Sequence, residues 1–131
     1  MFIDPDAEQL IIDYLATELA ANGFPDVVVG DKFPQAGVES VTVIRTGGAR
    51  RDLVTDQPQI SIDVRAGRNS RAVEIINVAR ALLNDLWGRT LDGFPVYRVS
   101  ELSGPYSNPA EPDYCRYSQN FLLAIRGKSV A

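Results

Sequence analysis

Cys115 is the strongest nucleophile the chain could offer, and it is the single cysteine of 131 residues that include no histidine. A catalytic thiolate needs a base or nearby positive charge to lower its pKa. Without histidine, that work would fall to a Lys, an Arg or a helix dipole. Cys115 is in phase with Tyr117 and Phe121 on an alternating run, which is the pattern of a core thiol. Asp52, Asp56 and Asp63 are the carboxylates that could gather a hard cation. Their spacing fits no calcium-loop motif, and solvated charge is the default for such residues. Gly47–Gly48 is not followed by the Lys and Ser/Thr of a phosphate loop. No catalytic set, cofactor or metal site is expected.

The one concentration of charge is basic: Arg45, Arg50, Arg51, Arg65, Arg68 and Arg71. Arg45 and Arg65 fall on strands expected to be neighbours, and the others sit at or near adjoining loops. Such a group can meet phosphates, pair with carboxylates across a protein interface, or form a solvated face. The chain carries 17 acidic residues and a formal net charge of −4, which disfavours clamping a nucleic-acid backbone and favours the protein interface. Asp52 and Asp56 stand beside Arg50 and Arg51 in the same stretch. Tyr106, in a loop rich in Pro, Gly, Ser and Asn, is the exposed aromatic suited to anchoring an interface. Trp87 reads as the end of a helix core. The subunit-interface candidates are therefore Arg45, Arg50, Arg51, Asp52, Asp56, Arg65, Arg68 and Tyr106.

The elements that position these residues follow from periodicity. Asp4–Pro5 reads as a helix start. Ala7, Leu10, Ile11, Tyr14, Leu15 and Leu19 then share one helical face, and Asn22–Gly23 closes the helix. Short β-branched runs follow at 27–29 and 40–45. Residues 47–58, between a Gly pair and Pro58, read as a flexible arm. Residues 59–66 alternate strictly, with Ile60, Ile62 and Val64 on one side and Ser61, Asp63 and Arg65 on the other. Asn69 or Ser70 is expected to cap a second helix over 71–87, with Val73, Ile76, Ala79, Leu83, Leu86 and Trp87 facing inward. Asp92–Gly93 marks a turn within 90–95, and a strand is expected at 96–102. A surface loop at 103–113 leads to a long strand at 114–126, and a loose tail covers 127–131.

These signals predict an α+β fold: a single domain over 1–131, with a mixed or antiparallel sheet, two main helices on one face, and a long loop or hairpin arm. Hydrophobic content of 45% is enough for one core. No apolar run reaches the ~20 residues of a membrane-spanning helix. Asp4 and Asp6 stand where a secretion signal would be basic. A lone cysteine allows no intrachain disulfide, in keeping with a reducing compartment.

Taken together, the helix leading into "GFPDVVVGDKFP", the stretch "VTVIRTGGARRDLVTDQPQISIDVRAG", the helix "RAVEIINVARALLNDLWG" and the strand–loop–strand "GPYSNPAEPDYCRYSQNFLLAIRG" resemble the tail terminator (tail completion) proteins of siphophages, the actinobacterial-phage type above all. "DQPQISIDVRA" is the most specific part. The resemblance implies a virion structural protein, not an enzyme, assembled in the host cytoplasm and placed at the head-proximal end of the tail. Six copies would form a homohexameric ring that caps the tail tube, ends its polymerisation and joins it to the head–tail connector. Its partners would be itself, the major tail tube protein and a connector or neck protein. Genome DNA would pass through the lumen without specific binding, and no membrane is involved. A head-completion or connector-adaptor protein of the neck has a similar α+β design. A small enzyme or ligand-binding domain is the reading of a different class.

Overall fold

The computed structural model describes residues 1–34, 37–108 and 114–130. In chain order the elements are β1 (Phe2–Ile3), α1 (Ala7–Ala21), β2 (Val28–Gly30), β3 (Ser40–Gly47), β4 (Thr55–Asp56), β5 (Gln59–Ala66), α2 (Asn69–Asn84), β6 (Thr90–Leu91), β7 (Phe94–Glu101), β8 (Tyr106–Ser107), β9 (Cys115–Arg126) and β10 (Lys128–Ser129). The fold is α+β, with a mixed sheet ordered β2-β3-β5-β9-β7-β6 and two helices. β2 runs parallel to β3, and the other pairings are antiparallel. β9 is the hub. It pairs with β5 and β4 along one edge and with β7 and β8 along the other.

Strand alternation sets the core. Val41, Val43, Ile60, Ile62, Val64, Phe121, Leu123 and Ile125 lie on one face and are all buried. They meet Ile11, Leu15 and Leu19 of α1 and Ile75, Ile76, Ala79 and Leu83 of α2 in one cluster. Each large side chain so buried contributes on the order of 1.5–3 kcal/mol before entropy is counted.

Several boundaries differ from those expected. Asp6, not Asp4, caps α1: its Oδ1 accepts from the Gln9 N–H at 3.1 Å. Asp4 is occupied by Arg50, whose Nε donates to Asp4 Oδ2 at 2.7 Å. At the other end, Gly23 has φ +94 and the Phe24 N–H returns to the Leu19 carbonyl, the Schellman closure with a buried aromatic behind it. α2 begins at Asn69, and its N-cap residue Arg68 makes no side-chain cap bond. The Asn69 amide oxygen instead accepts from the Tyr117 hydroxyl at 3.0 Å. The helix stops at Asn84, so Trp87 falls out of helical phase. Trp87 is 55% exposed under Arg98, whereas Leu86 is buried. Val73 is only half-buried; Ala72 and Ile75 take the inward positions.

The expected turn at 90–95 is a tight β6–β7 hairpin. Asp92 (φ +48) and Gly93 (φ +80) form its two-residue loop, and positive φ at both positions is what such a connection needs. β7 accordingly starts at Phe94. The tail is not loose over its described part: Lys128–Ser129 pairs with Phe2–Ile3, and the Val130 N–H donates to the Met1 carbonyl at 2.7 Å. In the loop expected at 103–113, Tyr106–Ser107 adds to β9, and residues 109–113 lie outside the described residues.

The arm is also folded down. β4 pairs Thr55 with Arg126 and Asp56 with Ile125. After an interruption at Gln57–Pro58, β5 continues along the same edge of β9, with Gln59 opposite Leu122. Order therefore resumes at Thr55, ahead of Pro58, and the projecting part is a short turn ahead of it. Gly48 (φ +91) lets the two legs close: a Cβ there would collide with the Gln57 carbonyl oxygen and stand 2.8 Å from the Gln59 nitrogen.

The sheet face turned away from the helices is polar, as the alternation predicts, yet much of it is buried. Ser40, Arg65 and Arg116 lie side by side on neighbouring strands, as do Thr42, Asp63 and Ser118. Phe33 covers this patch, with the Arg65 guanidinium 3.7 Å and that of Arg116 5.0 Å from its ring centre.

Candidate functional site

The expected basic cluster does not assemble. Arg45 lies opposite Ile60, whereas Arg65 lies opposite Ser40, so the two occupy opposite ends of the β3–β5 ladder. Ile60 and Arg65 are five steps apart along β5, which at ~3.3 Å each is about 17 Å. Arg45, Arg50 and Arg51 stand at the arm, and Arg65, Arg68 and Arg71 stand at the start of α2.

At the arm, Arg45 is committed inward. Its Nη1 is 2.9 Å from Asp56 Oδ2, and its Nε and Nη2 donate to the carbonyls of Gly47 and Gly48. Its backbone N–H donates to Glu8 Oε2 at 2.8 Å. Asp56, 4% exposed, also accepts from the Gln57 N–H. The pair closes the base of the hairpin and contributes no free charge to the surface. Asp52 holds the turn: its Oδ1 accepts from the N–H groups of Val54 (3.0 Å) and Thr55 (2.9 Å). The Val54 bond, ahead of the Thr55 bond and the nearby Arg51 charge, keeps its carboxyl below the usual range. The Arg51 N–H donates to the Thr55 carbonyl at 2.9 Å. What the turn presents outward is Arg50, Arg51 and Leu53. Leu53 is not among the candidates expected from sequence, although a large apolar residue inside a charged loop is itself a signal.

At the opposite end, Arg65 is buried on the polar face against Phe33, with the Tyr114 ring centre 5.7 Å away. Arg68 is exposed at the N-terminus of α2. Arg71 donates to both oxygens of Glu39 at 2.7 and 3.1 Å and lies over Phe24. Tyr106 is half-exposed on β8. The three aspartates that could have shared a cation go separate ways, since Asp63 forms a bidentate pair with Arg116 at 2.6–2.8 Å. Among the described residues, no three His, Cys, Asp or Glu side chains converge as a metal site. Cys115 is half-buried and packs against the core.

A concavity lies where no candidate was expected, between α1 and the β6–β7 turn. Leu10, Tyr14 and Leu91 line it together with Asp13, Glu18 and Asp92, around a volume of about 430 Å3. Past Leu10 and Asp13 it continues into a hollow of about 360 Å3 beside Pro5, Asp6 and Phe94. The Tyr14 hydroxyl donates to the Leu82 carbonyl at 2.7 Å, and burial raises its pKa. The α1 half was legible as a stripe, because Leu10, Tyr14 and Thr17 follow one another at helical spacing. The Leu91–Asp92 half comes from a hairpin far away in sequence, which spacing cannot reveal.

The sequence matches no protein-family profile and no curated protein. Among solved structures, the chain shares its fold with a chain of the "Virion of native gene transfer agent (GTA) particle": 17% of residues are identical, the TM-score is 0.67, and the match covers 94% of this chain and 100% of that one.

Proposed function

We propose that this protein is a structural subunit of a phage-type virion and, within it, the tail terminator. In this reading six copies form a ring on the tail tube, stop its growth and present a platform for the head connector. The observation that carries the proposal is a fold shared over nearly the full length with a chain of a gene transfer agent virion. The site geometry is compatible with it. Arg45 braces the base of the turn while Arg51 and Leu53 stand outward at its tip, and the open groove beside α1 is the kind of feature through which subunits meet. A net charge of −4 per copy would leave a ring lumen with little attraction for DNA, so that a genome passes without sticking.

The experiment is disruption of the gene in its particle-producing background, followed by electron microscopy. A terminator leaves tails of uncontrolled length. A neck adaptor, the second reading because of its similar design, leaves tails of normal length that fail to join filled heads. Particles of normal morphology and infectivity would overturn both. Images of intact particles should show a six-fold ring at the head-proximal end of the tail.

A further inference from the structure

Two surfaces of this chain complement each other in shape and charge. The first is the groove beside α1. Its floor is apolar, through Leu10, Tyr14 and Leu91, and Asp6, Asp13, Glu18 and Asp92 stand along it. No Lys or Arg is among its described lining residues. The cations near it are engaged on its walls: Arg50 on Asp4, Lys128 on the Asp92 carbonyl and the Phe94 ring, and Arg89 beside Asp85 and the Tyr14 hydroxyl. Asp6 and Asp13 accept from the neutral N–H groups of Gln9.

The second surface is the tip of the β3–β4 turn. Leu53 is 80% exposed, and the neighbouring Arg50 and Arg51 side chains are each about half exposed. The tip is held before any partner arrives, by the Asp52 bonds to Val54 and Thr55 and by the Gly127 N–H on the Val54 carbonyl at 2.9 Å. A loop already fixed in its binding shape loses little conformational entropy on docking. Arg51 is held only by long contacts, 3.5 Å from Asp52 and 3.4 Å from the Thr55 hydroxyl.

We propose that the tip of one copy seats in the α1 groove of a second copy. Leu53 packs against Leu10, Tyr14 and Leu91, and Arg51 turns toward Asp13 and Glu18. The occupant is a second copy because this chain itself carries the matching apolar, basic knob, and because Leu53 does not fill the groove of its own chain. Tip and groove adjoin through the Arg50–Asp4 pair; engaged in one direction only, tip to groove, the contact is heterologous and passes from copy to copy, as a ring requires. The inference rests on the reading of the protein as a self-assembling subunit and names the surface through which it would assemble.

The test uses two full-length proteins in a Cys115→Ser background, one with Leu53→Cys and one with Thr17→Cys on the groove wall. Cysteine keeps a small apolar side chain at the tip. The two are mixed at about 1 mM, a concentration that populates even millimolar contacts, and oxidised mildly. The expected result is a disulfide-linked heterodimer that forms faster than with a Ser70→Cys control on the exposed start of α2. Asp13→Lys on the groove partner should slow cross-linking about tenfold, and Arg51→Glu on the tip partner should restore it. Cross-linking no faster than the control, or insensitive to the charge reversal, overturns the inference. A ring seen in particles without this cross-link would leave the terminator reading standing and the tip–groove contact refuted. The cross-link in a protein absent from tails would do the reverse.

Discussion

Arg45 at the end of β3 and Asp56 in β4 meet at 2.9 Å across the base of the hairpin, with Asp56 almost fully enclosed. The contact turns what sequence presents as a charged, irregular excursion into a braced turn. Asp56→Ala strands a partly covered guanidinium and should cost about 1–3 kcal/mol, the range for losing a hydrogen bond to a charged group. Urea unfolding would register this as a lower midpoint at unchanged slope. An unchanged midpoint would mean that the brace contributes nothing.

Gly48 makes a sharper test of the same turn. Gly48→Ala combines a positive φ with a collision against the backbone of Gln57 and Gln59, so a loss of at least ~2 kcal/mol is expected. Gly23→Ala, also at positive φ but with open space around it, should cost only ~1–2 kcal/mol of backbone strain. Equal losses at the two sites in parallel denaturation curves would contradict the close approach.

The Arg80–Glu101 pair sets an acid limb of stability. Arg80 donates to both Glu101 oxygens at 2.6 and 2.7 Å, and Asn84 adds a third bond. Arg80 above all lowers the Glu101 pKa from 4.5 to about 2. The folded state thus holds this proton less tightly than the unfolded chain. The stabilisation is complete above pH 4.5 and fades as pH falls toward about 2. Glu101→Gln should therefore be less stable than the parent at pH 7, with the gap closing across that window. A gap independent of pH would show that the pair is not the cause. The modest burial of both side chains keeps the effect small.

Phe121 is fully buried at the hub strand. Phe121→Ala should cost about 3–5 kcal/mol, and thermal unfolding followed by circular dichroism would measure it. Leu102→Ala, at an exposed position, should change stability by no more than about 0.5 kcal/mol.

The regular elements were legible because their patterns are local. The alternation of Ile60, Ile62 and Val64, and the helical stripe through Ile11, Leu15 and Leu19, each state which face is covered. Features made by distant pairings were not legible. Lys128 opposite Ile3 and Thr55 opposite Arg126 involve two-residue strands with no period to detect. Trp87 was misplaced because a helix ending three residues sooner rotates everything after it out of phase. The arginines were visible as charges, but their partners were not. Whether a guanidinium is spent internally, like that of Arg45, or offered outward, like that of Arg51, depends on carboxylates and carbonyls that only the fold brings near.

The place of β9 has a consequence for timing during synthesis. Residues 115–126 pair with four other strands, and nothing made before them can close the sheet. Until they emerge, β5 and β7 lack their shared neighbour, and the apolar face of β5 has only part of its cover. The nascent chain must therefore wait with open strand edges, a state prone to association. Acquisition of the native sheet is postponed until residues 115–126 have been made.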